Sequence, residues 1–156
     1  MVGFGNTLRG DDGVGPEVAE MLAAELEGDG ALVVSTQELL PELAEAVGRA
    51  SLVVFIDAAM DRPAGSVATE PLEASPHLGE GSSPDVFSHG MRPADLLALA
   101  RVLYRAAPEA VVVSVGAESF DVGWGLSDAV VRAVPRAARA VMAAIEAAQV
   151  EGTERA

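Results

Sequence analysis

The N-terminal part of the chain combines apolar positions at helical spacing with a short apolar run. Four apolar side chains repeat on one face of residues 16–26: Val18, Met21, Leu22 and Leu26. This spacing predicts an amphipathic helix, and Pro16 suits its first turn. Residues 31–35 contain β-branched side chains and predict a strand, and a second helix is predicted from about Pro41.

Two later runs are apolar at every position, which is typical of strands buried on both faces. They are Leu52–Ile56, which Asp57 ends, and Val111–Val115. A weaker strand is predicted over residues 66–71, and a loop rich in Ser, Pro and Gly over about 74–90. A third helix is predicted from about Pro93.

The C-terminal part has a helical pattern from Ser127 to about Gln149. Because proline lacks a backbone N–H and clashes with the preceding turn, Pro135 is expected to divide this part into a short turn and a longer helix. Residues 151–156 are predicted to be a frayed tail, which leaves one domain over residues 1–150. The alternation of strands and helices predicts a three-layer α/β/α sandwich with a mostly parallel, twisted sheet. Ligands of such folds bind outside the carboxyl ends of the strands.

Composition narrows the possible chemistry. The chain has no cysteine, which excludes disulfides and thiolate nucleophiles, and its ten basic residues are all arginine. Any metal must therefore be held by oxygen or imidazole. A formal net charge of -14 argues against a nucleic-acid partner. No apolar run reaches the ~20 residues that span a bilayer, and the N-terminus lacks the features of a secretory signal, so we expect a cytoplasmic protein.

A glycine-rich segment that holds two carboxylates precedes the first predicted helix. Residues 3–15 read G-F-G-N-T-L-R-G-D-D-G-V-G. Glycines here suit phosphate binding at a helix N-terminus, but Asp11 and Asp12 would repel a phosphate, and a cation fits them better. Leu8 stands where a dinucleotide-binding loop has its third glycine. We expect Asp11 to accept backbone N–H groups, and Asp12 either to do the same or to bind a cation.

Three further side chains are candidates around the same sheet edge. Asp57 follows a buried strand that should emerge beside the first loop, so its carboxylate could approach Asp12 and share a cation with it. Alternatively, Asp57 fixes a turn before Pro63. His89 precedes the third helix and is either a ligand or a solvated loop residue. His77 is expected to be solvated.

These segments together resemble the nickel-iron hydrogenase maturation proteases, peptidase family M52. That family begins with a strand and G-x-G-N-x-L-x-x-D-(D/E)-G-x-G, which residues 3–15 match. Its other motifs are a buried strand ending in D-A, a histidine before a helix, a G-x-x-E segment and a G-L-S segment. They are matched by Ile56-Asp57-Ala58, Ser88-His89, Gly116-Ala117-Glu118-Ser119 and Gly125-Leu126-Ser127. The resemblance covers essentially the whole chain.

The resemblance implies an endopeptidase that removes the C-terminal extension of a nickel-loaded hydrogenase large-subunit precursor. It implies that Asp12, Asp57 and His89 are the catalytic residues and touch the nickel of the precursor. Three residues are added as second-tier site residues: Asn6, Asp11 and Glu118. The nickel would be supplied by the substrate rather than resident. We expect a monomer whose partner is the precursor, with no nucleic-acid or membrane partner.

Two departures from the family and two alternative functions accompany this interpretation. Members normally have a strand of about five residues before the first glycine, whereas this chain has Met1 and Val2, and residues 36–40 lack the glycine pair that many members carry. One alternative is a receiver-like signalling domain, although receivers need a lysine and this chain has none. The other is a small Rossmann-type nucleotide-binding domain, which Leu8 and the paired aspartates disfavour.

Overall fold

The structure, a computed structural model, describes residues 1–76, 78 and 90–155. The strands in this part of the chain are β1 (Val2–Phe4), β2 (Val34–Thr36), β3 (Leu52–Ala59), β4 (Val67–Pro71) and β5 (Glu109–Gly116). A 3-10 turn, Gly10–Gly13, leads into the first of the α-helices. These are α1 (Val14–Gly28), α2 (Leu43–Arg49), α3 (Pro93–Tyr104) and α4 (Asp128–Arg155).

The strands form one sheet in the order β2-β1-β3-β5-β4. β1 is parallel to β2 and β3, and β3 is parallel to β5 from Leu52↔Glu109 onward. β4 is antiparallel to β5 at the edge of the sheet. Two successive strands of a sheet can be parallel only if a long crossover joins them. The connection over residues 60–66 is short, so β4 runs in the direction opposite to β3. The predicted α/β class with a mostly parallel sheet is confirmed.

Helices cover both faces of the sheet and bury alternate residues of β3. Val54, Ile56 and Ala58 pack in the cluster that includes α1 and α4. Val53 and Phe55 pack in the opposite cluster with α2 and α3. Full burial of such side chains contributes about 1.5–3 kcal/mol each, so these two clusters hold the three layers together. The fully apolar run in the sequence reflects this two-sided burial.

The N-terminus of α1 lies directly against the sheet at two glycines. A Cβ atom on Gly3 would lie 2.1 Å from the Gly15 carbonyl oxygen, and one on Gly15 would lie 2.6 Å from that of Ile56. Only glycine permits this approach of helix and strands. The contact fixes the turn before α1, which carries Asp12, over the carboxyl ends of β1 and β3.

The C-terminal helix differs from its prediction. α4 is one helix with Pro135 inside it, so the predicted division at Pro135 is wrong, and it continues through Glu151 to Arg155 where a frayed tail was expected. Pro135 has no N–H group to donate to the Val131 carbonyl. Both residues are exposed, so water can hydrate that carbonyl. The buried residues lie on both sides of the proline along one face: Val130, Ala133, Val134, Ala137, Ala138 and Val141. Their packing outweighs the loss of one helical hydrogen bond.

No helix in the described ranges is long and apolar enough to cross a membrane.

Candidate active site

Asp57 lies within β3, beyond the point where β1 stops. The register of β1 with β3 ends at Gly3↔Ile56, whereas β3 continues beside β5 with Asp57↔Ser114. The strand therefore runs to Ala59, and the prediction that Asp57 ends it is wrong. The long ladder with β5 supplies backbone partners for these additional residues. Asp57 nevertheless belongs to the carboxyl-end edge of the sheet, where function was expected.

Asp12 is held by the loop that follows β1. Its Oδ2 atom accepts a hydrogen bond of 2.8 Å from the Asn6 N–H. The loop closes over Asp12 because Gly5 adopts a φ of 141°, and a Cβ atom there would lie 1.8 Å from the Asp12 carbonyl oxygen. The Asn6 side chain in turn accepts the Leu8 N–H at 2.9 Å, which forms an Asx turn. The described residues donate no hydrogen bond to the Oδ1 atom of Asp12, which leaves that oxygen available to a cation.

Asp57 has a pKa that is raised to about 7. Burial is the largest cause, the hydrogen bond from the Ala58 N–H opposes it, and the negative charge of Asp12 adds a smaller rise. A cation shared by Asp12 and Asp57 would offset both the burial and the repulsion. The pair is thus suited to a positively charged ligand.

His89, the third predicted ligand, lies outside the described residues, as does His77. Among the residues that the structure describes, no group of three or more His, Cys, Asp or Glu side chains is placed to hold a metal ion. Of the predicted set, Asp12 and Asp57 lie close enough for the charge of Asp12 to act on the pKa of Asp57.

Asp11 anchors the last loop before α4. It is only 1% exposed. Its carboxylate accepts hydrogen bonds from the Ser127 N–H at 2.6 Å, the Ser127 hydroxyl at 2.9 Å and the Glu118 N–H at 2.8 Å. Burial alone would raise the pKa of Asp11, but these hydrogen bonds outweigh it and hold the pKa below its ordinary value. Asp11 accepts backbone N–H groups as the sequence predicted.

Two of these partners differ from what the sequence suggested. Glu118 contributes its backbone N–H, while its side chain is exposed. Ser127 belongs to the G-L-S segment, and the sequence predicts no role for it. Its position immediately before a helix was the available signal, because serine there commonly forms local hydrogen bonds.

The first loop and the loop over residues 117–127 form one unit. Gly10 N–H donates to the Gly123 carbonyl at 3.1 Å, and Gly123 N–H donates to the Leu8 carbonyl at 2.9 Å. The Arg9 Nε atom donates to the Phe120 carbonyl at 3.2 Å. Residues distant in sequence thereby surround the edge that carries Asp12.

A large cavity lies elsewhere, at the amino ends of the strands. It has a volume of about 1060 Å³, and its lining includes Met1, Leu32, Leu52 and Ala107. The cavity and the carboxylate pair thus indicate different sites. We favour the pair, because parallel sheets bind ligands at their carboxyl ends and Asp57 has a raised pKa.

No protein-family model and no curated protein sequence matches the chain. Solved structures, in contrast, do match the chain. The NiFe hydrogenase maturation protease HybD from Thermococcus kodakarensis is 22% identical with a TM-score of 0.64, over 90% of this chain and 94% of that protein. HybD from E. coli is 21% identical with a TM-score of 0.63, over 93% and 90% of the two chains.

A hydrogenase 2 maturation peptidase from a Thaumarchaeota archaeon is 24% identical with a TM-score of 0.64, over 92% of this chain and 95% of that protein. These similarities extend over nearly the whole of each chain. The chain therefore has the fold of the hydrogenase maturation proteases.

Proposed function

We propose that the protein is an endopeptidase that removes the C-terminal extension of a nickel-loaded nickel-iron hydrogenase large-subunit precursor. The observation that carries the proposal is that Asp57, with its raised pKa, lies within the electrostatic influence of Asp12 at the carboxyl edge of a sheet with the maturation-protease fold. The structural neighbours suggest the class of substrate, and the pair supports the choice of a metal-bearing one.

The pair is better suited to recognising a metal than to storing it. Two carboxylates leave coordination positions open, and oxygen ligands hold divalent nickel less firmly than thiolates do. Nickel already bound by cysteines of the precursor would complete its shell with Asp12 and Asp57, and with His89 as a proposed third ligand. The nickel of the substrate would thereby license cleavage.

Asp57 links metal recognition to proton transfer in this proposal. With a pKa of about 7, it holds a proton part of the time in neutral solution. Contact with nickel favours the ionised form, so docking of the loaded precursor releases that proton. The freed carboxylate can then accept a proton from the water molecule that attacks the scissile carbonyl, and can pass this proton to the leaving amine as the C–N bond breaks.

The nucleotide-binding alternative is disfavoured by the state of the first loop. A phosphate cradle needs free backbone N–H groups, but the Asn6 N–H donates to Asp12 and the Leu8 N–H to Asn6. The N–H groups of Arg9, Gly10, Asp11 and Asp12 donate to backbone carbonyls.

The receiver-like alternative is disfavoured because receivers need a lysine, which this chain lacks. Monomeric state and cytoplasmic location stay predictions.

The direct test is incubation with a nickel-loaded large-subunit precursor, followed by mass spectrometry of its C-terminus. We expect loss of the C-terminal peptide from the loaded precursor and none from the nickel-free form. Asp12→Asn and Asp57→Asn should each abolish cleavage, whereas Asp61→Asn, an exposed carboxylate nearby in the chain, should not. An intact loaded precursor after incubation with the wild-type protein would refute the proposal.

A further inference from the structure

Two apolar side chains beside the candidate site are almost fully exposed. Val122 is 89% exposed and Trp124 is 83% exposed, more than any other large apolar residue in the described ranges. Leu8, whose carbonyl is bonded to Gly123, is 40% exposed. Clustered exposed apolar side chains, and a tryptophan above all, are characteristic of surfaces that bind another molecule. We call residues 121–125 the outer segment.

The backbone of the outer segment is paired on one side only. Gly123 uses both its N–H and its carbonyl on Leu8 and Gly10. Gly123 forms an isolated parallel bridge with Arg9, and the backbone bends at Val122 and Trp124. The described part of the chain supplies no backbone partner for Val122 or Trp124, so the outer side of this segment, here called the edge, is open to contact with a peptide.

Gly123 leaves space along this edge. A Cβ atom on Gly123 would meet no other atom within 4 Å, and its φ lies outside the left-handed region. Neither packing nor backbone conformation therefore requires glycine there in the free protein. The missing side chain does, however, allow another chain to approach closely.

The edge is continuous with the candidate site. Its inner side is bonded to the residues that immediately precede Asp11 and Asp12, and Asp11 in turn binds Ser127 just beyond the segment. A peptide lying on the outer segment would therefore be separated from the loop that holds Asp12 by that segment alone.

The charges around the edge indicate the composition of the partner. The side chains of Glu118, Asp121 and Asp128 are all exposed there, in a chain of net charge -14. Arg9 is the basic side chain bonded to this region, through its Nε atom. The surface thus complements a peptide that carries both apolar and basic residues.

From this combination we infer that the outer segment is the docking edge for the C-terminal extension of the precursor. The extension lies along the outer side of this segment, with an apolar side chain against Val122 and Trp124 and a basic side chain near Asp121. This inference rests on the proposed function, because it names the part of that substrate which the edge binds.

Trp124 is the only tryptophan of the chain, so its fluorescence reports directly on this edge. The probe is a synthetic tryptophan-free peptide that spans the cleavage site and extension of the precursor. We expect a saturable blue shift of the emission as the indole leaves water, and weaker binding by Val122→Ser. Val102→Ser is the matched control, because Val102 is also 62% exposed but lies near the end of α3. An emission maximum that the peptide does not move would overturn the inference.

Kinetics with the nickel-loaded precursor separate this inference from the proposed function. Trp124→Ser should raise KM about tenfold, which corresponds to about 1.4 kcal/mol, and change kcat less than about twofold. If the wild-type protein cleaves the precursor and Trp124→Ser retains the wild-type KM, the docking edge is wrong and the proposed function stands. If the wild-type protein leaves the loaded precursor intact, both are wrong.

Discussion

Asp11 and Ser127 are joined twice across 116 positions of the sequence, since the Asp11 carboxylate accepts both the backbone N–H and the hydroxyl of Ser127. With the N–H of Glu118, these bonds tie the loop before α4 to the turn before α1. The two loops that surround the candidate site thus share one buried anion.

Replacing this anion should destabilise the whole domain. We expect Asp11→Ala to lower the free energy of unfolding by about 3 kcal/mol, because buried donors lose their partner. Ser127→Ala removes one hydroxyl bond and should cost about 1 kcal/mol. Urea denaturation at pH 7 measures both. Equal stability of Asp11→Ala and the wild type would mean that the anion contributes nothing to the joined loops.

Asp57 should make the metal-free protein less stable as pH rises. Its pKa is raised to about 7 in the folded state, against about 3.9 in the unfolded chain. The folded state therefore binds the proton more tightly, and its stabilising effect is lost between about pH 4 and pH 7. Asp57→Asn removes this loss and should be more stable than the wild type at pH 8, by on the order of 2 kcal/mol.

The measurement is thermal unfolding in EDTA at pH 4.5 and pH 8. Asp61→Asn serves as the exposed control, and its difference from the wild type should be small at both values. A stability gain for Asp57→Asn that is the same at pH 4.5 and pH 8 would contradict the raised pKa.

A second buried carboxylate joins the chain on the two sides of residues 77–89. Asp95 is 2% exposed and accepts the Ser75 hydroxyl at 2.7 Å and the Arg92 Nε at 2.8 Å. The hydrogen bonds from Arg92 are the main cause of its lowered pKa; burial opposes them, and Ser75 adds to the lowering. The contribution of ionised Asp95 to stability is complete above its pKa in the unfolded chain, about 3.9. It is lost as pH falls through its pKa in the folded state.

We therefore expect Asp95→Ala to cost about 3 kcal/mol at pH 7 and less below pH 3. Arg92→Ala should cost less, because the Arg92 side chain is 60% exposed. Urea titrations at the two pH values provide the comparison. A cost for Asp95→Ala that grows on acidification would show that the carboxylate is not ionised in the fold.

Pro135→Ala should stabilise α4. The substitution restores the N–H that can bond the Val131 carbonyl, and the site is exposed, so no core contact is lost. The expected gain is about 1–3 kcal/mol. Arg139→Ala, also exposed on α4, is the control for helix propensity alone. A lower melting temperature for Pro135→Ala than for the wild type would indicate that the proline has a packing role.

Chelators should leave the fold unaffected. A site that receives its metal with the substrate adds no binding energy to folding. Melting curves with and without EDTA are expected to coincide within about 1 °C. A clear fall in melting temperature would show that a resident metal stabilises the domain.

The sequence by itself determined the fold class and the position of the first carboxylates. Continuous apolar runs predicted β3 and β5 because both faces of these strands are covered, and helical spacing predicted α1 and α3. These are local properties, since each depends on residues only a few positions apart.

The tertiary structure alone decided what depends on distant neighbours. The direction of β4 and the extension of β3 past Asp57 depend on pairing with β5. The raised pKa of Asp57 depends on burial beneath other elements and on the charge of Asp12. The hydrogen bonds of Ser127 to Asp11 and the exposure of Trp124 depend on how the last loop packs against the first. Desolvation and long-range hydrogen bonds arise from spatial contacts, which no periodicity along the chain specifies.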